Sequence, residues 1–296
     1  MKTILKLNLI ILLCVISFSN IYAKKKWARK SAPIEQPLRL FNSIEAVNLK
    51  TAESIPKGDL YYSIAHRFRA PVSGGFDNFL GMDGGSMMST RIGYGVLDNL
   101  MLTIGRTSKD KQYDMELKYK FFNLKSDVFP LMISVNAGYA YSSANFQEDK
   151  DINIGIDVNQ YNVSLIFNTM FKELFGSDMA IGFGLTPTYL QNSLVGQFEN
   201  KSSITLGYYT QFYFGNDMTS IILESNPTVS GWRSQLDGRK GYDTYALGLE
   251  LETGGHFFKI MLSNNVLINT SQFQAGSLEV FAWKNLLLGF QITRNF

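Results

Sequence analysis

The chain has 296 residues, 45% hydrophobic and 18% charged, with a formal net charge of +3 at pH 7, a balance that offers no basic footprint for a nucleic-acid partner. Its one cysteine, Cys14, falls in a segment expected to be removed. That excludes disulfides and thiolate metal sites from the mature chain, and no cofactor or metal is expected.

Residues 1–23, MKTILKLNLIILLCVISFSNIYA, read as a cleaved signal peptide. Lys2 and Lys6 precede an apolar run, and Ile21-Tyr22-Ala23 places a small residue before the cut. Asn8, Ser17, Ser19 and Asn20 shorten the apolar core below the roughly 20 residues that a membrane span needs. Cleavage would take two of the 28 basic residues and none of the 25 acidic ones. Residues 24–57 follow as a periplasmic N-terminal segment. Its start, KKKWARK, reads as a solvated tail, with contact to anionic head groups or cell-wall polymer as the alternative. Within 38–57, Leu40, Ile44 and Val47 form a short apolar stripe, so this stretch is a lumen plug, a cover over the periplasmic mouth, or a linker.

After Gly58 a period of two replaces any sustained helical period. In YDMELKYKF (113–121), Tyr113, Met115, Leu117, Tyr119 and Phe121 share one face, and Asp114, Glu116, Lys118 and Lys120 share the other. Twelve strands are predicted, at 58–69, 86–97, 100–107, 113–124, 128–141, 155–171, 179–190, 202–214, 218–228, 242–253, 256–266 and 286–296. Most have eight or more residues. A tilted transmembrane strand needs about 9–11, whereas soluble strands cluster near five or six.

The connections alternate between long (70–85, 142–154, 191–201, 229–241, 267–285) and tight (98–99, 125–127, 215–217, 254–255). One pair is out of step, because 108–112 is shorter than 172–178. Such alternation is the plan of an outer-membrane barrel, with tight periplasmic turns and long outer loops. Odd-numbered strands then run outward, and both termini lie in the periplasm.

Alternation alone does not separate a barrel from a soluble sandwich. The face opposite the apolar one does. It carries Arg67, Arg91, Glu116, Lys118, Glu224, Glu250 and Lys259, both signs together, which suits a wet lumen. In lipid every backbone group needs an internal partner, so the sheet must close. The fold class is therefore an all-β, transmembrane, antiparallel up-and-down β-barrel of about twelve strands over residues 58–296. His66 and Arg106 share parity with apolar residues and would face lipid near the outer rim. Pro187, at an outward position, suggests a local irregularity.

The stretches LYYSIAHRF (60–68), FLGMDGG (79–85) and RIGYGVLDNLMLTIGRTSKDKQYDMELKYKFF (91–122) resemble an uncharacterised bacterial outer-membrane β-barrel family, domain of unknown function 5777. The resemblance is strongest over 43–140. It implies the barrel and an outer-membrane location in Gram-negative bacteria, and it carries over no activity and no functional residue. Leu288, Phe290, Ile292 and Phe296 also resemble the terminal strand that many outer-membrane proteins present to the barrel-assembly machinery. Arg294 departs from that pattern, in which an apolar residue is usual.

Hydrolytic chemistry needs a base beside a nucleophile. His66 and His256 are the only histidines, and the strand order puts them near opposite rims, so no enzyme is expected. Acidic residues of the outer loops, Asp77, Asp83, Glu148, Asp149 and Asp151, read as solvated charge, since their spacing matches no calcium loop. The expected function is a narrow channel or small-solute binding barrel. Its partners would be outer-membrane lipid and lipopolysaccharide, the assembly machinery during insertion, and a small solute. The alternative is a non-conducting structural or assembly component, and a lipid-modifying enzyme stands third.

Overall fold

The computed structural model describes residues 38–144, 157–173, 179–194, 200–214, 218–232 and 240–296. The signal peptide, the basic run at 24–30 and the acidic residues Glu148, Asp149 and Asp151 lie outside them.

Long alternating segments form β1 (Leu60–Pro71), β2 (Ser86–Leu97), β3 (Leu100–Thr107), β4 (Gln112–Leu124), β5 (Leu131–Ser142), β6 (Asn159–Phe171), β7 (Ala180–Gln191) and β8 (Ser202–Phe214). They continue as β9 (Thr219–Asn226), β10 (Thr228–Ser230), β11 (Thr244–Glu252), β12 (His256–Ser263) and β13 (Leu287–Asn295). From β1 to β9 and from β11 to β13 consecutive strands pair antiparallel, β9 pairs with β11, the short β10 pairs with β8, and β13 closes on β1 through Tyr61–Asn295 to Arg67–Gly289. The Phe296 N–H donates to the Leu60 carbonyl at 2.9 Å, which extends the seam by one residue. The result is a closed antiparallel barrel of twelve staves, in which β9 and β10 form one stave.

Two prolines mark its irregularities. The strand predicted as continuous over 218–228 is broken at Pro227, which has no N–H to give the ladder. Beyond it, β10 pairs with β8 in a shifted register. Pro187 faces outward, and the β6–β7 ladder skips from Ser164–Thr188 to Phe167–Leu185 without losing register. A bulge between Lys120 and Phe122 in β4 lets Phe121 and Phe122 both face out, a re-aiming that period-two reasoning cannot anticipate.

Burial is inverted relative to a soluble sheet. On β4 the polar Gln112, Asp114, Glu116 and Lys118 are at most 6% exposed, while Tyr113, Met115, Leu117 and Tyr119 are 42–49% exposed. The same inversion runs around the ring, with Ile92, Ile104, Val163, Leu185, Leu223, Leu249 and Ile260 outside. An apolar belt around a polar interior is stable only when hydrocarbon replaces water outside. His66 and Arg106 sit on that belt, each against an aromatic ring: His66 lies edge-on to Phe290 at 4.7 Å, and the Arg106 guanidinium lies over Tyr113 at 5.6 Å.

Candidate functional site: a polar lumen with two inserted segments

Residues 40–53 run inside the barrel, and Ser54 and Lys57 bond to Asp98 at the turn between β2 and β3. Glu45 and Lys50 pair as an antiparallel bridge, and Ala46 N–H donates to the Leu49 carbonyl at 2.8 Å, so 46–49 make a tight turn. The turn aims its donors at one carboxylate. Glu224 Oε2 accepts from the N–H groups of Val47 (3.0 Å), Asn48 (2.8 Å) and Leu49 (2.9 Å), and Oε1 accepts from Asn48 Nδ2 (2.8 Å). Successive N–H groups converging in a turn make an anion-binding concavity, and here a strand side chain fills it.

The rest of the segment is held in the same manner. Asn168 Oδ1 accepts from Ala52 N–H at 2.6 Å, and Ser134 Oγ donates to the Ala52 carbonyl at 2.7 Å. Lys118 Nζ donates to the carbonyls of Thr51 (3.0 Å) and Ile44 (3.4 Å). Strand glycines make room for its apolar side chains. A Cβ on Gly182 would lie 2.6 Å from the Phe41 ring, and one on Gly248 would lie 2.8 Å from Val47 Cγ2. Phe41, Val47 and Leu49 join Met132, Ile166, Met170, Tyr209, Ile222 and Met261 in one buried cluster.

The connection between β12 and β13 enters from the opposite rim. Residues 269–274 form a single capped turn in which every side chain is buried. Asn269 Nδ2 donates to Asp114 (3.0 Å), Thr270 Oγ1 to Glu116 (2.7 Å), Ser271 Oγ to Gln160 (2.9 Å) and Gln272 Nε2 to Gln112 (2.8 Å).

Where the two segments meet, charges interlock. Lys50 pairs with Glu45 and with Glu116 (3.0 Å), and Arg91 pairs with Glu45 (3.2 Å) and Asp114 (3.5 Å). Gln291 Nε2 donates to Glu45 at 2.7 Å. Burial alone would raise the Glu45 pKa, but Lys50 and Arg91 outweigh it and hold this carboxyl well below the usual carboxylate range. Glu53 goes the other way. Burial raises it, although it accepts from the N–H groups of Phe41 and Leu40. A second pair, Lys259–Glu250 at 3.0 Å, joins the neighbouring strands β12 and β11 on their inward face, and Lys259 also donates to Ser43 Oγ at 3.0 Å.

All seven candidate residues named from the sequence, Arg67, Arg91, Glu116, Lys118, Glu224, Glu250 and Lys259, point inward and are buried. Six touch the inserted segment directly. Arg67 does so through Asn48 Oδ1 (2.9 Å), and Glu250, the exception, pairs with Lys259 and accepts from Gln211 (3.0 Å). Sequence reasoning missed Glu45, Lys50 and Glu53, which carry the insert's charge; it had Asp114 on the inward face of its strand without singling it out as a partner of Arg91. It also read 267–285 only as an outer loop. A signal was present, because residues 260–278 contain no charged side chain, which is unusual for a solvated loop. A cavity of about 20 Å³ remains between Asn48, Arg67, Arg91 and Gln291, enough for one water molecule.

On the outside, His66 and His256 pack against Phe290 and Phe258, away from the lumen. Asp77 and Asp83 are exposed on the outer connection after β1. Phe290 and Ile292 face outward on β13, Phe296 is exposed at its end, and the Arg294 guanidinium lies over the Phe296 ring at 4.7 Å.

A closed ladder, an apolar belt and a polar interior define a transmembrane β-barrel of the outer membrane. The chain belongs to the family described as a membrane bound beta barrel domain, domain of unknown function 5777, whose model matches residues 41–296. No curated protein matches it. Among solved structures it is similar to the NanC porin, at 10% identity over 80% of this chain and 98% of that one, with a TM-score of 0.46. It is similar to an outer membrane channel from Pseudomonas putida F1, at 16% identity over 83% and 98%, TM-score 0.41. It is also similar to outer membrane phospholipase A from Escherichia coli, at 9% identity over 81% and 91%, TM-score 0.34. Likeness this distant transfers no function.

Proposed function

We propose that this protein is a conduit for a small polar solute that is closed at rest by residues 38–57 and opens when that segment leaves the lumen. The observation that carries the reading is the way the segment is held. Its backbone is bound mainly by wall side chains, Glu224, Asn168, Ser134 and Lys118, and each of these groups is equally satisfied by water in an open pore. A permanently filled barrel has no need of both charge signs on its wall, because apolar packing does the same work without desolvating ions. Binding or transport is favoured over hydrolysis, since both histidines lie on the outer surface.

Planar-bilayer recordings test this. The full chain should give rare or no conductance steps, and deletion of residues 31–56 should give frequent ones. A correctly inserted deletion variant that stays silent would overturn the reading. The competing reading, a structural barrel with a permanent core, draws on the apolar packing of Phe41, Val47 and Leu49. It expects the deletion variant to fail to form a barrel at all.

Residues Phe290, Ile292 and Phe296 serve in this reading as the recognition signal for the assembly machinery. Phe296→Ser should lower the inserted fraction several-fold, measured by heat-modifiable mobility in isolated outer membranes. Normal insertion would remove the idea.

A further inference from the structure

Glu116 has one oxygen on each inserted segment. Its Oε1 accepts from Thr270 Oγ1 at 2.7 Å, and its Oε2 pairs with Lys50 Nζ at 3.0 Å. Two residues earlier on the same inward face, Asp114 accepts from Asn269 at 3.0 Å and faces Arg91 at 3.5 Å, and Arg91 reaches Glu45. Glu45 pairs with Lys50, which closes the circuit. Two carboxylates on β4 thus join a loop more than 150 residues away to a segment about 65 residues away in the other direction. Phe273 of the loop also packs in the same buried cluster as Phe41, Val47 and Leu49 of the insert.

We propose that Asp114 and Glu116 form a latch coupling the two lumen segments, so that withdrawal of residues 269–274 from the outer side releases residues 44–50 on the periplasmic side, and the reverse. The physical link is water exclusion. With the loop seated, the Lys50–Glu116 and Arg91–Asp114 pairs lie in a low-dielectric interior where charge pairing is strong. With the loop lifted, water reaches both carboxylates, the pairs weaken, and the insert loses its charged anchor. The barrel then reports an event at its outer face to the periplasm, and by linkage the dependence is reciprocal. The proposal rests on residues 38–57 being displaceable, as in the function proposed above, but not on whether the open lumen conducts.

The test uses the full chain in lipid vesicles. Its mature part has no native cysteine if residues 1–23 are cleaved, so Ala52→Cys gives a single label site in the insert, read by its rate of modification with a small maleimide. Thr270→Val keeps the side-chain shape and removes the hydroxyl that faces Glu116. It should raise the labelling rate at position 52 by about tenfold, the scale of one hydrogen bond to a charged group. Thr205→Val removes a different loop contact, to Gln274 at 3.4 Å, and should leave the rate near wild type.

The reciprocal arm places the label in the loop by Ala275→Cys, and Lys50→Gln should raise its modification from the outer side. An unchanged rate at position 52 in Thr270→Val would overturn the latch. So would an equal rise in Thr205→Val, because that outcome means general loosening. Should Lys50→Gln fail to insert, the isosteric Thr270→Val arm decides by itself. Silence of the deletion variant in bilayers would leave these rates untouched, so the two proposals fail separately.

Discussion

The two segments that fill the lumen are built on opposite principles. Residues 38–57 bring Glu45, Lys50 and Glu53 inside and are held by ion pairs and by backbone donors on Glu224 and Glu53. Residues 269–274, in the connection between β12 and β13, bring only the uncharged Asn, Thr, Ser, Gln and Phe, held by side-chain hydrogen bonds to wall carboxylates and amides. A charged segment is costly to bury but strongly placed once paired, because removing any one partner leaves an uncompensated charge. A neutral amide-rich loop loses less at each contact and is therefore the easier of the two to lift. In the proposed mechanism the contrast makes the charged segment the lock and the neutral loop the lid.

The largest effect should come from Glu224→Ala, which strips the acceptor from four donors of the 46–49 turn. The insert should be destabilised by at least about 3 kcal/mol, read as a lower urea midpoint for its protection against protease in vesicles. A loss below about 1 kcal/mol would mean that the turn is not the main anchor. Next is Gly248→Leu, whose side chain would occupy the space of Val47. Overpacking there should cost about 1–3 kcal/mol and expel the insert while β11 still pairs. Gln272→Ala, on the neutral segment, should cost about 1 kcal/mol and lower the protection of the insert far less than Glu224→Ala does. If it matched Glu224→Ala, the distinction between lock and lid would collapse.

The smallest effect is on pH. Glu45 is held below its ordinary value of 4.5, so its contribution is fully present above pH 4.5 and is lost as pH falls toward its folded pKa. Glu53 is raised above 4.5, so its contribution is fully present below that value and is lost as pH rises through its folded pKa. Protection of the insert should therefore rise slightly as pH falls from neutrality toward 4.5, then decline. Glu45→Gln should abolish the decline, and Glu53→Gln should abolish the rise. A monotonic profile in the wild type would show that only one of the two carboxyls matters.

Much of the wall was legible because period-two alternation records a local constraint, the opposite faces of a pleated strand. Tyr113 through Phe121 displays it residue by residue, and the ends of β2 and β3 fall at the residues predicted for them. The inward set could be named for the same reason. The bulge at Phe121–Phe122 was not legible, since it depends on the neighbouring strand; the break at Pro227 follows from the proline itself, although the predicted strand ran across it.

The sequence by itself determined that the chain closes into an antiparallel barrel with an apolar outside and a charged inside, because strand period, turn spacing and the need to satisfy every backbone group in lipid are readable along the chain. What fills the interior was decided only by tertiary structure. The contact between Asn48 and Glu224 spans 176 residues, and that between Thr270 and Glu116 spans 154. The short stripe of Leu40, Ile44 and Val47 and the uncharged run at 260–278 hint at the two segments without saying where they go. Their shapes are set by the wall that surrounds them, and that wall exists only once the first and last strands have met.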